Sequence, residues 1–218
     1  MAYPTVDKPY GLKPINLIGG QVFAGATRQL AITASYATSI FYGDVVTLVS
    51  GGTVEKDSGT TTATPVGTFM GCQYISATTG QLTFSQYYPA SLAVKSGTVV
   101  YAFVSEDPDQ LFKVVLVSGT TADGNGLTPT FLGRTVIGSN AQLVQNTGST
   151  VTGDSTVGVY TAAGATTTAT LPIRIVDVVP DTANSSGNFC EVIVKWNAPN
   201  VTGQTVAGGH QYLNPTGV

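Results

Sequence analysis

Apolar residues recur at every second position through much of this 218-residue chain, and stretches with the 3.6-residue spacing of a helix are almost missing. The strongest alternation lies in residues 98–117. Val99, Tyr101 and Phe103 fall on one face of its first half and Val100, Ala102 and Val104 on the other, while Phe112, Val114 and Leu116 line one face of its second half. β-Branched and aromatic residues suit a pleated, largely buried position, so this segment predicts a central hairpin. Glu106, Asp107, Pro108 and Asp109 form its turn, because Pro108 has no N–H for a ladder and clustered acids avoid a dry core.

Ahead of the hairpin, Pro4, Pro9 and Pro14 recur every five residues and favour an extended path with no regular element over residues 1–27. Tyr3, Tyr10, Leu12, Ile15, Leu17 and Ile18 make that path apolar, so it either packs on its own barrel or lies across a neighbouring subunit. Short strands follow from Arg28. Residues 45–49 and 53–56 form a hairpin across Ser50, Gly51 and Gly52, and 57–64 is an exposed loop. Residues 65–75 form a strand in which Gly67 and Gly71 mark a bulge or bend, and 81–86 is a further strand.

After the central segment the pattern weakens, with short runs at 131–137, 141–144 and 155–160. Residues 171–179 and 189–196 pair as strands, and Arg174 and Glu191 are placed to meet across them. The whole predicts ten to twelve strands in an all-β fold: a small β-barrel, an appended β-sandwich-like part, and extended N- and C-terminal arms. The expected divisions are an arm over 1–27, a barrel domain over 28–140, a second β part over 141–197 in the same or a separate domain, and a C-terminal arm over 198–218. Tyr212 and Leu213 lie in that last arm.

Charge changes the picture. Only 10 % of the residues are charged, against about 25 % in ordinary soluble domains, and mean hydropathy is +0.21. A surface rich in Thr, Ser, Gly and Asn is hydrated but weakly self-repelling, which fits either an ordinary Thr-rich β protein or one that works packed in an assembly. Net charge is −3 and the nine Lys and Arg residues form no run, so nucleic acid is not an expected partner. No apolar run approaches a membrane span, and residues 1–9 lack the pattern of a signal peptide, so no membrane partner or Sec-type export is expected. Cys72 and Cys190 are expected as two buried free thiols.

Candidate chemistry is sparse. The single histidine, His210, sits in a glycine-rich tail and finds no evident Ser/His/Asp setting. Glu106, Asp107 and Asp109, with Asp123 or Asp154, offer oxygen ligands for Ca²⁺, but a solvated turn explains them as well. Nothing singles out a carboxylate pair for glycoside hydrolysis, and no Gly-rich phosphate loop is present. Tyr87, Tyr88 and Trp196 could form a binding patch, although aromatic residues at strand spacing usually belong to a core. The expectation is a non-enzymatic protein with no cofactor and no metal.

The blocks YATSIFYGDVV (36–46), PVGTFMG (65–71), FSQYYPA (84–90) and YAFVSEDPDQLFKV (101–114), after the start DKPYGLKPINLIGG (7–20), resemble structural proteins of marine tailed phages, including cyanophages. That family is similar to capsid decoration, or cement, proteins. The resemblance covers most of the chain up to about residue 200 and carries no catalytic residues. It implies a virion protein on the capsid exterior, made in the host bacterial cytoplasm. Its implied partners are the major capsid protein and copies of itself, a homo-trimer ahead of a dimer. Tyr3, Tyr10, Leu12, Ile15, Leu17, Ile18, Tyr212 and Leu213 are then the candidate intersubunit contacts, and residues 1–18 should be removable without unfolding the rest. The alternative is a virion fibre or adhesin module that recognises host surface glycans.

Overall fold

The computed structural model describes residues 6–118, 128–129, 133–160, 168–183, 189–198 and 208–213. Its strands, in chain order, are β1 (Lys13–Leu17), β2 (Arg28–Ala31), β3 (Val45–Leu48), β4 (Val54–Lys56), β5 (Gly67–Ile75), β6 (Leu82–Ser85) and β7 (Tyr101–Ser105). They continue with β8 (Gln110–Ser118), β9 (Thr128–Pro129), β10 (Asn140–Val144), β11 (Gly158–Tyr160), β12 (Ile173–Val178) and β13 (Cys190–Trp196). Gly133–Val136 and Gln211–Leu213 are single 3₁₀ turns. The fold is all-β, as the alternation requires.

β8, β11, β10, β12 and β13 form a closed barrel, because β13 returns to pair with β8 from Cys190 opposite Leu116 to Lys195 opposite Leu111. Closure removes free edges from these five strands. The inward residues alternate along each strand: Phe112, Val114 and Leu116 on β8, Ile173 and Ile175 on β12, Val192, Val194 and Trp196 on β13. All are fully buried, and Phe112 meets the Trp196 ring edge-on at 5.1 Å between centroids. Such edge-to-face pairs contribute about 0.5–1.5 kcal/mol beyond burial.

β1 and β9 add to the barrel's sheet through β8, and β2–β7 build a second sheet, in the order β2-β7-β5-β3-β4, with β6 also on β5. Its inner face carries Leu30, Val46, Phe69, Cys72, Ala102 and Val104, closed over by Ile32 and Tyr88. The expected glycine bend is present: pairing of β5 with β7 shifts between Phe69 and Cys72, where Gly71 takes φ +125°. Both cysteines are buried and free, and burial pushes the Cys72 thiol up to about 12 and the Cys190 thiol up to about 11.

Asp44 joins the two sheets. Fully buried, it accepts hydrogen bonds from the Ser155 hydroxyl at 2.6 Å and the Phe41 N–H at 2.9 Å, and pairs with the Lys56 ammonium at 2.9 Å. Backbone bonds run the same way: Leu12 N–H reaches Gly43 O at 2.9 Å, Gly43 N–H reaches Phe69 O at 2.9 Å, and Ser155 N–H reaches Tyr42 O at 2.9 Å.

Several expectations change. The segment 98–117 is not a hairpin, because β7 belongs to the open sheet and β8 to the barrel. The acidic turn is the crossover between them. The closed barrel therefore comes from residues 110–196 rather than 28–140, and β2–β7 form the open sheet. The N-terminal segment is extended but is also a strand: β1 pairs antiparallel with β8, and Leu12 is fully buried in the barrel core. Removing residues 1–18 would take Leu12 out of that core and β1 off β8, so residues 12–17 are part of the fold rather than a separable arm. Arg174 does not meet Glu191; its partner across β13 is Lys195, while Glu191 lies 3.0 Å from the Lys113 ammonium.

Candidate functional site

The candidate contact residues divide by burial. Leu12 is interior, and Tyr10 is half-buried with its hydroxyl hydrogen-bonded to Glu191, burial and that carboxylate raising the phenol above its usual range. Ile15 and Leu17 are half-buried along β1, whereas Ile18, at the end of that strand, is exposed. Tyr3 lies outside the described residues. Tyr212 and Leu213 are both exposed, at one end of a segment that is otherwise anchored. There Gln211 donates to Leu48 O and accepts from Leu48 N–H, and His210 N–H reaches Asn197 O. Residues 208–213 thus tie the open sheet to the barrel, which is why most of this stretch is buried.

The acidic crossover is occupied internally. Glu106 lies 3.0 Å from the Arg28 guanidinium and accepts from the Tyr212 hydroxyl at 2.7 Å. Burial, then Glu106, pushes the Tyr212 phenol up to about 12. Asp107 accepts from Asp109 N–H, and Asp109 lies 3.7 Å from Lys195. Asp154 is turned toward Lys13 and Gln86, and Asp123 lies outside the described residues. Among the described residues no group of three or more His, Cys, Asp or Glu side chains could hold a metal ion. His210 is buried beside Trp196, its Nδ1 accepts from Tyr212 N–H, and burial pulls its pKa down to about 4. Nothing nucleophilic faces it among the described hydrogen bonds. Tyr88 and Trp196 are buried core residues, and Tyr87 stacks on Phe41 at 5.4 Å.

The outer face of the open sheet is the surface that stands out. Register places Phe84 on β6 opposite Gln73 on β5, Gln73 opposite Tyr101 on β7, and Tyr101 opposite Ala31 on β2. The neighbouring rows add Leu82 opposite Ile75 and Phe103 opposite Gln29. No residue in these rows is charged. Phe84 is 67 % exposed, Leu82 58 %, Val99 46 % and Tyr101 40 %, and Phe84 stacks with Phe103 at 6.3 Å. β6 pairs only with β5, so one backbone edge of this face is open.

Next to it lies a pocket of about 500 Å³ that shares Ala31 and Val99 with the face and continues over Ile32, Tyr88, Leu92, Val94 and Val100. Ser35 and Ser91 also line it, with φ +56° and +54°. They are the only described residues other than glycine with positive φ. Such conformations cost energy and concentrate where surrounding structure holds a site in shape. A contiguous apolar surface with an uncharged pocket can bind another uncharged surface by excluding water.

The sequence pattern pointed at the arms and missed this face. The signal is in the sequence: both faces of 99–104 are apolar, a pattern that fits burial on both sides as well as one exposed apolar face, and Leu82 and Phe84 share one face of a short strand. Comparison with known proteins finds no matching family model, no similar curated protein and no similar solved structure.

Proposed function

We propose that the protein is a non-enzymatic virion structural protein that binds the outer surface of an icosahedral phage capsid and stabilises it by bridging capsomers. The observation that carries this reading is the uncharged face formed by Leu82, Phe84, Val99, Tyr101 and Phe103, with the pocket at its edge. A face without ionic groups is matched by an apolar partner surface, and the pocket accepts an apolar side chain from it as an anchor. The partner is the major capsid protein. Low overall charge supports the same reading, since covering the face in an assembly removes the need for charge to keep free copies apart. Engagement of several sites by a self-associated oligomer, a trimer ahead of a dimer, would turn modest contacts into tight attachment.

The test is occupancy on particles carrying Phe84→Glu and Tyr101→Glu together. Each exposed change should move fold stability by no more than about 0.5 kcal/mol. Placing two carboxylates at the centre of the apolar face should cost about 2 kcal/mol or more of binding, roughly a thirtyfold loss of occupancy at limiting protein. A folded double variant that still decorates particles at the wild-type level refutes the proposal. So does a copy number of only a handful per wild-type particle, which would indicate an appendage.

A further inference from the structure

We infer that the barrel carries a second, separate site, a pocket for an organic carboxylate formed by Arg174 and Lys195. This pocket, of about 450 Å³, is lined by Asn140, Ala169, Arg174, Lys195, Trp196, Asn197, Ala198 and Leu213, with no acid among those residues. Asn140 on β10, Arg174 on β12 and Lys195 on β13 occupy one row across three strands: Asn140 is opposite Arg174, and Arg174 is opposite Lys195. Like charges directly opposite each other across a sheet destabilise it. Arg174 is exposed and Lys195 half-buried, so water weakens the repulsion without removing it, in a chain with only nine cationic side chains.

The fold contains an instructive comparison. Lys13 and Lys113 also stand opposite each other, on β1 and β8. There Glu191 lies 3.0 Å from Lys113, Asp154 lies 4.0 Å from Lys13, and both ammonium groups approach the Tyr10 ring, at 4.8 and 5.8 Å. The protein neutralises that pair itself. At Arg174 and Lys195 the described residues provide only Asp109, 3.7 Å from Lys195 and largely in water, where screening makes a pair weak. An anion from outside completes the balance.

The site is also held in shape. Asn140 is almost fully buried and its Oδ1 accepts from Arg174 Nε at 3.1 Å, which fixes the plane of the guanidinium. The same oxygen accepts from Asn197 Nδ2 at 3.1 Å, and Asn197 is tied in turn to Leu171 O and Ile173 O. A planar guanidinium in fixed orientation matches a carboxylate, and the lysine adds charge without demanding geometry. Ala169, Ala198 and Leu213 provide apolar wall for the stem that carries the acid, so an organic carboxylate suits the pocket better than an inorganic ion. The acid is either a free small molecule or an acidic side chain of a docked protein. Neither source depends on the sheet face described above.

Trp196 is the only tryptophan and lines the pocket, so its emission reports the site directly. Glutarate and an N-acetylated, amidated tetrapeptide containing one glutamate are titrated into the full-length protein, with NaCl at matched ionic strength as control. Saturable change with either probe is expected, at about tenfold higher concentration for Arg174→Gln and for Lys195→Met. Saturation by glutarate identifies a small acid as sufficient, and saturation by the peptide alone identifies a protein side chain. In low salt without the probes, Lys195→Met should also melt at a higher temperature than wild type, because it removes the repulsion. Equal titrations of wild type and both variants, a response that follows ionic strength alone, or tighter binding of inorganic phosphate than of either carboxylate would overturn the inference.

Discussion

Replacing Asp44 by alanine probes what joins the barrel to the open sheet. The carboxylate is fully buried, and the Lys56 side chain that pairs with it at 2.9 Å is only 11 % exposed. Removing one partner of a buried ion pair leaves the other charge uncompensated, which costs about 3–5 kcal/mol. The Phe41 N–H and the Ser155 hydroxyl also lose their acceptor. Orphaned buried donors cost about 1–3 kcal/mol each, although these costs overlap with the first because the groups share one site. Some relief comes from Lys56 reaching Asn146 O at 3.4 Å. The expected loss is about 4 kcal/mol, against a total stability of about 5–15 kcal/mol for a typical domain. Urea unfolding, followed by Trp196 fluorescence for the barrel and far-ultraviolet circular dichroism for both sheets, measures it. Combining Asp44→Ala with Lys56→Met removes the stranded charge and should recover at least half of the loss. A single-variant cost below about 1 kcal/mol, or no recovery in the double variant, would show that this network does not hold the two sheets together.

Three further outcomes follow from the packing. His210 has its pKa lowered to about 4 from an ordinary 6.5, so the unfolded chain binds the extra proton first as pH falls. Its contribution is present above about pH 6.5 and lost between there and pH 4, up to about 3 kcal/mol; melts across this range should show a slope that His210→Phe flattens. Cys72 and Cys190 should resist a thiol reagent at pH 8 in the folded protein and react once urea unfolds it, since burial holds both thiols protonated. Reaction of either at a free-thiol rate without denaturant would contradict their burial. Gly67→Ala would put a Cβ 2.2 Å from the Ser105 carbonyl oxygen, forcing β5 from β7 at a cost of about 3 kcal/mol or more, whereas Gly51→Ala, in an open turn, should leave the urea midpoint nearly unchanged.

Much of the fold was legible from alternation alone. The period-two pattern identified the strands around 45–48, 67–75, 110–118, 173–178 and 190–196, and Gly71 marked the bend in β5. Isolated, buried cysteines were legible too, from their position inside strand-like runs. These are local properties, written in residue order and in the absence of a metal-binding spacing.

Pairing was decided only in three dimensions. Two adjacent apolar runs joined by an acidic turn look like a hairpin, yet β7 and β8 enter different sheets, because Val104 fits against Phe69 and Arg28 while β8 is claimed by β13 over six successive residue pairs. Prolines and apolar residues left open whether the N-terminal segment packs on its own barrel or lies across a neighbouring subunit; Leu12 buried in the barrel core and β1 paired with β8 place residues 12–17 on the chain's own fold, which a proline at position 14 does not prevent at an outer strand. The sheet face and the Arg174–Lys195 row depend on the same information. Alternation determines which residues share a side of their own strand; which side meets water, and which charges stand opposite each other, is set by long-range partners that no local pattern encodes.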